Sequence, residues 1–204
     1  MDESSSIPQE TRIMLDIRER WTTRQVALLN DLESLFLAEG FRHLTISEMA
    51  SRSHSSRRTL YTVAASKEEL VLVVVDRFYN RMGKEARSRA SKVDDVHDKI
   101  QAYLSASVDR NMNISPTFLR DVEEYLPTRH LYDRHQDMAV SALEEMIRTA
   151  MDTGELRSGS PALIAEIIDA VIKRLRDPEI LAKIGASKSD VMKAFAQLCR
   201  EGIV

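Results

Sequence analysis

The chain has 204 residues, 43% of them hydrophobic and 30% charged, with a formal net charge of −3. That length suits one large domain or two small ones with a sizeable core, in the composition range of an ordinary soluble protein. The single cysteine, Cys199, excludes an internal disulfide and suits a reducing, cytoplasmic setting, and the longest apolar run, Leu70–Val75, is too short to span a bilayer.

Charge is unevenly placed. Residues 17–92 hold 14 Lys+Arg against 9 Asp+Glu, a net of +5, whereas residues 93–204 hold 14 against 19, a net of −5. A basic segment beside an acidic one fits nucleic-acid binding by one end only. The chain opens Met-Asp-Glu-Ser-Ser-Ser, which is no signal peptide, and residues 1–11 are expected to be disordered. Ile13, Ile17 and Trp21 recur at i, i+4, i+8 and predict a helical turn or two in an arm that carries Arg18, Arg20 and Arg24. Thr22 with Gln25 predicts a capping box, in which hydroxyl and side-chain carbonyl satisfy orphan backbone N–H groups. The helix it starts carries Leu28, Leu29, Leu32, Leu35 and Phe36 and ends at Gly40.

Three helix starts then follow closely. Thr45 with Glu48 predicts a second capping box, Ser66 with Glu69 a third, and Ser56 between them is placed to cap a short helix. The first short helix buries Ile46, Met49 and Ala50; the second, of about two turns, buries Leu60, Val63 and Ala64. The polar turn Ser53-His54-Ser55 joins them, which predicts a helix-turn-helix whose second helix enters a major groove. At about 100° per residue from Leu60, Arg58 and Thr62 face outward, Thr59 and Tyr61 flank them, and Arg57 sits in the first turn. Arginine pairs bidentately with guanine and hydroxyls reach bases or phosphates. Lys67, opening the next helix, suits a phosphate, and Thr45 joins the candidate contacts. The pattern by itself leaves open two short core helices with a solvated Arg-Arg pair.

This stretch resembles the DNA-binding domain of the TetR family of bacterial transcriptional regulators. The matching residues are Leu28-Leu29, Leu35-Phe36, Gly40-Phe41, Thr45-Ile46, Met49-Ala50, Thr59-Leu60-Tyr61 and Ser66-Lys67-Glu68-Glu69-Leu70. Asp31-Leu32 stands where the family usually has two alanines, His54-Ser55 replaces Gly-Val in the turn, and Val63-Ala64 replaces a frequent His-Phe. The turn needs a left-handed residue, for which His is one of the more tolerant substitutes for Gly.

The run Leu70–Val75 has β propensity, but its Ser66 cap and its continuation through Phe78, Tyr79 and Met82 predict a helix buried on both sides. Beyond Asp94 the pattern is again helical: Ile100, Tyr103, Leu104, Ser107 and Val108 form one stripe, and Pro116 and Pro127 bracket a short helix with Phe118, Leu119, Val122 and Tyr125. A long helix from about Arg129 turns Ala139, Leu143, Met146, Ile147 and Ala150 inward and stops at Gly154. Ser160-Pro161 is a strong helix start, Asp177-Pro178 breaks or restarts that helix, and a last helix is capped by Ser187 or Ser189. His130 and His135 do not share a helical face, and no catalytic motif, metal-ligand set or cofactor loop is recognised.

The expected fold is all-α. An arm (1–20), a three-helix helix-turn-helix domain (21–70) and a connector helix (71–92) precede a helical ligand-binding and dimerisation domain (93–204). The expected function is a DNA-binding regulator and not an enzyme, with double-stranded operator DNA as partner and no membrane association. The resemblance implies a homodimer, through Ile164, Ile168, Val171, Leu175, Val191, Phe195 and Leu198 of the last helices. It also implies an inducer pocket, for which Tyr103, Phe118, Tyr125, Met138 and Met146 are candidates and which suits a mostly apolar ligand. The alternatives are an all-α interaction module that has lost DNA binding, suggested by His54-Ser55, and a small helical enzyme using His130 and His135.

Overall fold

A computed structural model describes residues 21–111, 114–156, 159–175, 178–186 and 188–198. The expectations for the arm, for Cys199 and for the cap at Ser187 lie outside the described residues, as do the side chains of Ser107, Val108 and Ser189. The described residues form helices and no strand. They divide into two compact units.

The first unit runs to Arg77 and takes in Ser115–Thr128. Helix α1 (Thr23–Glu39) starts at the expected capping box, with Thr22 Oγ1 accepting from the Gln25 N–H, and stops at Gly40, whose φ of 83° ends the helix. Helix α2 (Ile46–Arg52) starts at the Thr45–Glu48 box, and α3 (Arg57–Tyr61) starts at Ser56. Helix α4 (Lys67–Ala90) begins within this unit; its start departs from the expected box. Ser66 Oγ does accept from the Glu69 N–H at 3.0 Å, but the Glu69 carboxylate takes the N–H of Ala65, one residue further out. Leu28, Leu29, Leu32, Phe36, Met49, Leu60, Leu70 and Val74 are all buried, each removed from water at a gain of roughly 1.5–3 kcal/mol. The valine-rich run is helical, and only Leu72 of it is not fully buried.

The second unit comprises 78–114 and 129–204. It holds the rest of α4, α5 (Val96–Asn111), then most of α7 (Leu126–Asp152), α8 (Pro161–Arg174), α9 (Pro178–Ile184) and α10 (Lys188–Leu198). Ile100, Tyr103, Leu104, Leu143, Ile147, Ala150, Ile168 and Phe195 form its core, and α10 packs on α5. Gly154 (φ 78°) follows α7 as expected, and Ser160 caps α8 with Pro161 in its first turn.

Two boundaries differ from the sequence expectation. The division between units falls inside α4, at Arg77, and the segment holding α6 (Pro116–Glu124) belongs to the first unit instead of the second. Helix α7 starts at Leu126, before Arg129, because Pro127 sits in its first turn, where a missing N–H costs nothing.

Candidate nucleic-acid interface

The helix starts and the turn of the α2–turn–α3 element are closed by local hydrogen bonds. At its start Glu48 Oε2 accepts from the Thr45 N–H at 2.7 Å and from Thr45 Oγ1 at 2.8 Å. These bonds hold the Glu48 carboxyl below its ordinary pKa. At the turn, the Ser55 N–H donates to Ala50 O at 2.8 Å and the His54 N–H to Ser51 O at 3.2 Å, with His54 left-handed at φ 48°. That pair of bonds is a Schellman closure of α2, with His performing the task usually given to Gly. Ser53 is buried, and its hydroxyl donates to Met49 O at 2.7 Å. The departure from Gly-Val therefore leaves the turn closed.

Helix α3 is one five-residue piece, shorter than the expected two turns. Ser56 Oγ accepts from the Thr59 N–H at 3.1 Å and lies 2.9 Å from Thr59 Oγ1. Leu60, Val63 and Ala64 are buried, whereas Arg57, Arg58, Tyr61 and Thr62 are exposed. Among the described residues neither Arg57 nor Arg58 forms an ion pair or hydrogen bond. The other arginines of this surface are engaged: Arg52 pairs with Glu39, and Arg42 with Glu124. Arg57 and Arg58 are thus exposed guanidiniums on α3 with no partner among the described residues, whereas Arg42 and Arg52, also exposed, are tied to carboxylates. Lys67 donates from Nζ to Arg42 O at 2.9 Å, using one of its three donors.

Residues that position this surface include Asp121, Ser115, Glu33 and Arg77, which carried no sequence assignment, and Phe118, which was expected in the pocket. Asp121 of α6 is buried, and its Oδ2 accepts from the N–H groups of Phe41 (2.7 Å) and Arg42 (3.0 Å). Phe118 meets Phe41 edge to face, with ring centroids 6.0 Å apart, and Ser115 N–H donates to Leu37 O at 2.7 Å. A Cβ on Gly40 would lie 2.5 Å from Asp121 Oδ2, so the docking of α6 requires glycine there. Glu33, also buried, pairs with Arg77 at 3.1 Å, and burial lowers the pKa of that guanidinium. The available signal was an acid on an apolar stripe: Asp121 falls between Phe118 and Val122 at i+3.

The expected pocket residues are divided between the units, Phe118 and Tyr125 in the first and Tyr103, Met138 and Met146 in the second. Phe118 is consumed by packing in the first unit, and Tyr125 lines a cleft of about 180 Å³ there with Phe41, Arg42, Lys67, Glu68 and Val71. In the second unit the buried Tyr103 donates from its hydroxyl to Ala139 O at 3.1 Å, and burial raises its pKa. Met146 packs at the core edge and Met138 is exposed. That unit also has an ion partner the sequence reading did not find: buried Asp169 accepts from Gln136 Nε2 at 2.9 Å and pairs with Lys173 at 2.6 Å, which raises the lysine pKa. His130 is exposed while the His135 ring lies against Tyr79, so the two histidines do not converge.

Most of the expected dimer residues are engaged within their own unit. Ile168, Leu175 and Phe195 are core residues of the second unit, and Ile164, Val171 and Val191 pack partly against that core. Of that set only Leu198 is exposed, at 55%. The apolar surface left on α8 is Leu163 (60% exposed) and Ile167 (43%), one position round the helix from the expected stripe.

An all-α architecture with a capped helix-turn-helix has the geometry that many DNA-binding heads use. Solved structures give the particular fold. A putative TetR-family regulator from Rhodococcus sp. aligns with a TM-score of 0.63 at 18% identity, covering 85% of this chain and 95% of that one. A putative transcriptional regulator from Saccharomonospora viridis, solved with choline, aligns at 0.71 and 17% identity, covering 88% and 96%. The transcriptional regulator FadR from Bacillus subtilis, solved with stearoyl-CoA, aligns at 0.69 and 12%, covering 88% and 99%. The chain has the fold of TetR-family transcriptional regulators. No family model and no curated protein matches its sequence.

Proposed function

We propose that this protein is a DNA-binding transcriptional regulator, acting as a homodimer on a palindromic operator and as a repressor whose hold on DNA a small ligand releases. The observation that carries the reading is α3: a short helix capped at Ser56, anchored by Leu60, presenting Arg57 and Arg58, which have no partner among the described residues, outward. In the major groove Arg58 reads a base edge, Arg57 and Thr62 stand beside it, and Lys67 and Thr45 meet phosphates. A module that had lost DNA binding would not be expected to retain the closed turn at His54. The structural neighbours are transcriptional regulators, so the reading is of a binding protein and not an enzyme.

The exposed Leu163 and Ile167, one turn apart on α8, supply an apolar face for a second copy. Two heads must then stand roughly 34–36 Å apart to enter successive major grooves, and a ligand that favours another spacing releases the DNA. The neighbours' ligands, choline and stearoyl-CoA, differ too much in chemistry to transfer a ligand class. The test is selection of bound duplexes from a random pool. An enriched two-fold symmetric site, bound more weakly as salt rises, supports the reading; a pool without enrichment defeats it.

A further inference from the structure

Gln25 holds two ends of the helix-turn-helix domain together. Its Oε1 accepts from the Thr22 N–H at 2.9 Å and from Thr22 Oγ1 at 3.0 Å, completing the cap of α1. Its Nε2 donates to Thr62 O at 3.0 Å, across 37 residues of sequence. Thr62 is the C-cap of α3, and its hydroxyl donates to Thr59 O at 2.7 Å. One amide therefore uses its carbonyl on the first turn of α1 and its NH₂ on the last turn of α3.

We infer that Gln25 is a positioning residue for base reading: it fixes the carboxyl end of α3, with Tyr61 and Thr62, to the amino end of α1. This rests on the DNA-reading role assigned to α3. A helix of five residues closes few internal hydrogen bonds, so its direction depends on what holds its ends. The amino end is held by Ser56, which leaves Arg57 and Arg58 placed whether or not Gln25 is present. The carboxyl end has Leu60 in the core, with Val63 and Ala64 buried just beyond it, and the Gln25 amide is the side-chain bond that sets the Thr62 carbonyl between them. Losing that amide frees the Tyr61–Thr62 end and spares the arginine end.

Glu is the residue that tests this. Glu at N3 is a regular capping-box partner, so Gln25→Glu keeps the cap of α1 and removes the Nε2 donor that serves Thr62 O and, at 3.4 Å, Thr62 Oγ1. The added charge weakens all DNA equally, through the salt-dependent part of binding. Lost positioning weakens discrimination at particular base pairs. Gln25→Met adds no charge but also removes the Oε1 acceptor of the Thr22 N–H, so a loss of discrimination shared with Gln25→Glu reports the lost donor and not the charge.

The experiment measures base preference at each operator position for the wild type, Gln25→Glu, Gln25→Met, Thr62→Ala and Arg58→Ala. The expected result is a loss of about three- to ten-fold in discrimination for both Gln25 variants, the scale of one hydrogen bond. The positions affected should be those blurred by Thr62→Ala and not those blurred by Arg58→Ala. Unchanged preference, or a uniform loss in both variants, overturns the inference while leaving DNA binding standing. A wild type that selects no sequence overturns the functional reading itself.

Discussion

The joint between Asp121 and the α1–α2 turn sets a measurable part of the first unit's stability. Asp121→Ala removes the acceptor of two backbone N–H groups at 2.7 and 3.0 Å. Hydrogen bonds to a charged acceptor contribute about 1.5–3 kcal/mol each, and a buried donor left without a partner costs about 1–3 kcal/mol. Phe41 is buried, so its N–H bears that cost in full; Arg42 is exposed, so its N–H recovers part of its loss from water. The expected net destabilisation is about 3 kcal/mol, a large share of the roughly 5–15 kcal/mol that holds a domain folded. Asp121→Asn keeps an acceptor of the same shape without the charge, and neutral hydrogen bonds are about half as strong, so it is expected to cost about 1–1.5 kcal/mol. The assay is urea unfolding followed by tryptophan emission. Trp21 is the single tryptophan of the chain and lies in the first unit, so its signal reports that unit. Wild type, Asn and Ala should fall in that order of midpoint at similar m-values. An Asp121→Ala protein within about 0.5 kcal/mol of wild type, the scatter of ordinary surface substitutions, refutes the assignment of α6 to the head.

Three further outcomes are expected. Arg58→Ala loses about 1–3 kcal/mol of discrimination at one base-pair position while Lys67→Ala weakens all sequences about equally, as read by binding to mutated operators; equal profiles for the two would reverse the roles. Leu163→Asp with Ile167→Asp yields a folded monomer of 23.2 kDa by light scattering with unchanged circular dichroism, since both side chains are outside the core, whereas Ile168→Asp unfolds the second unit. His54→Gly raises first-unit stability by about 0.5–1 kcal/mol, because φ 48° strains a residue with a Cβ; a lower urea midpoint would contradict that.

How much of this was legible in the sequence depended on the range of the interactions. The caps at Thr22, Thr45, Ser56 and Ser160, the stops at Gly40 and Gly154 and the turn at His54 were readable, because each is made by groups a few residues apart. The burial of Leu28, Met49 and Leu60 was readable from helical period alone. Tertiary structure alone decided where equally plausible faces and distant partners went. Asp121 serves Phe41 across 80 residues, Arg77 reaches Glu33 across 44 and Gln25 reaches Thr62 across 37. Periodicity can mark an acid on an apolar stripe, as at Asp121, but it does not name the partner, which lies tens of residues away. On α8 both the 163/167 and the 164/168 rows are aliphatic, so the sequence offered two candidate core faces about 100° apart. Packing buried Ile168 and left Leu163 in water, and that choice determines which row is free to meet a partner.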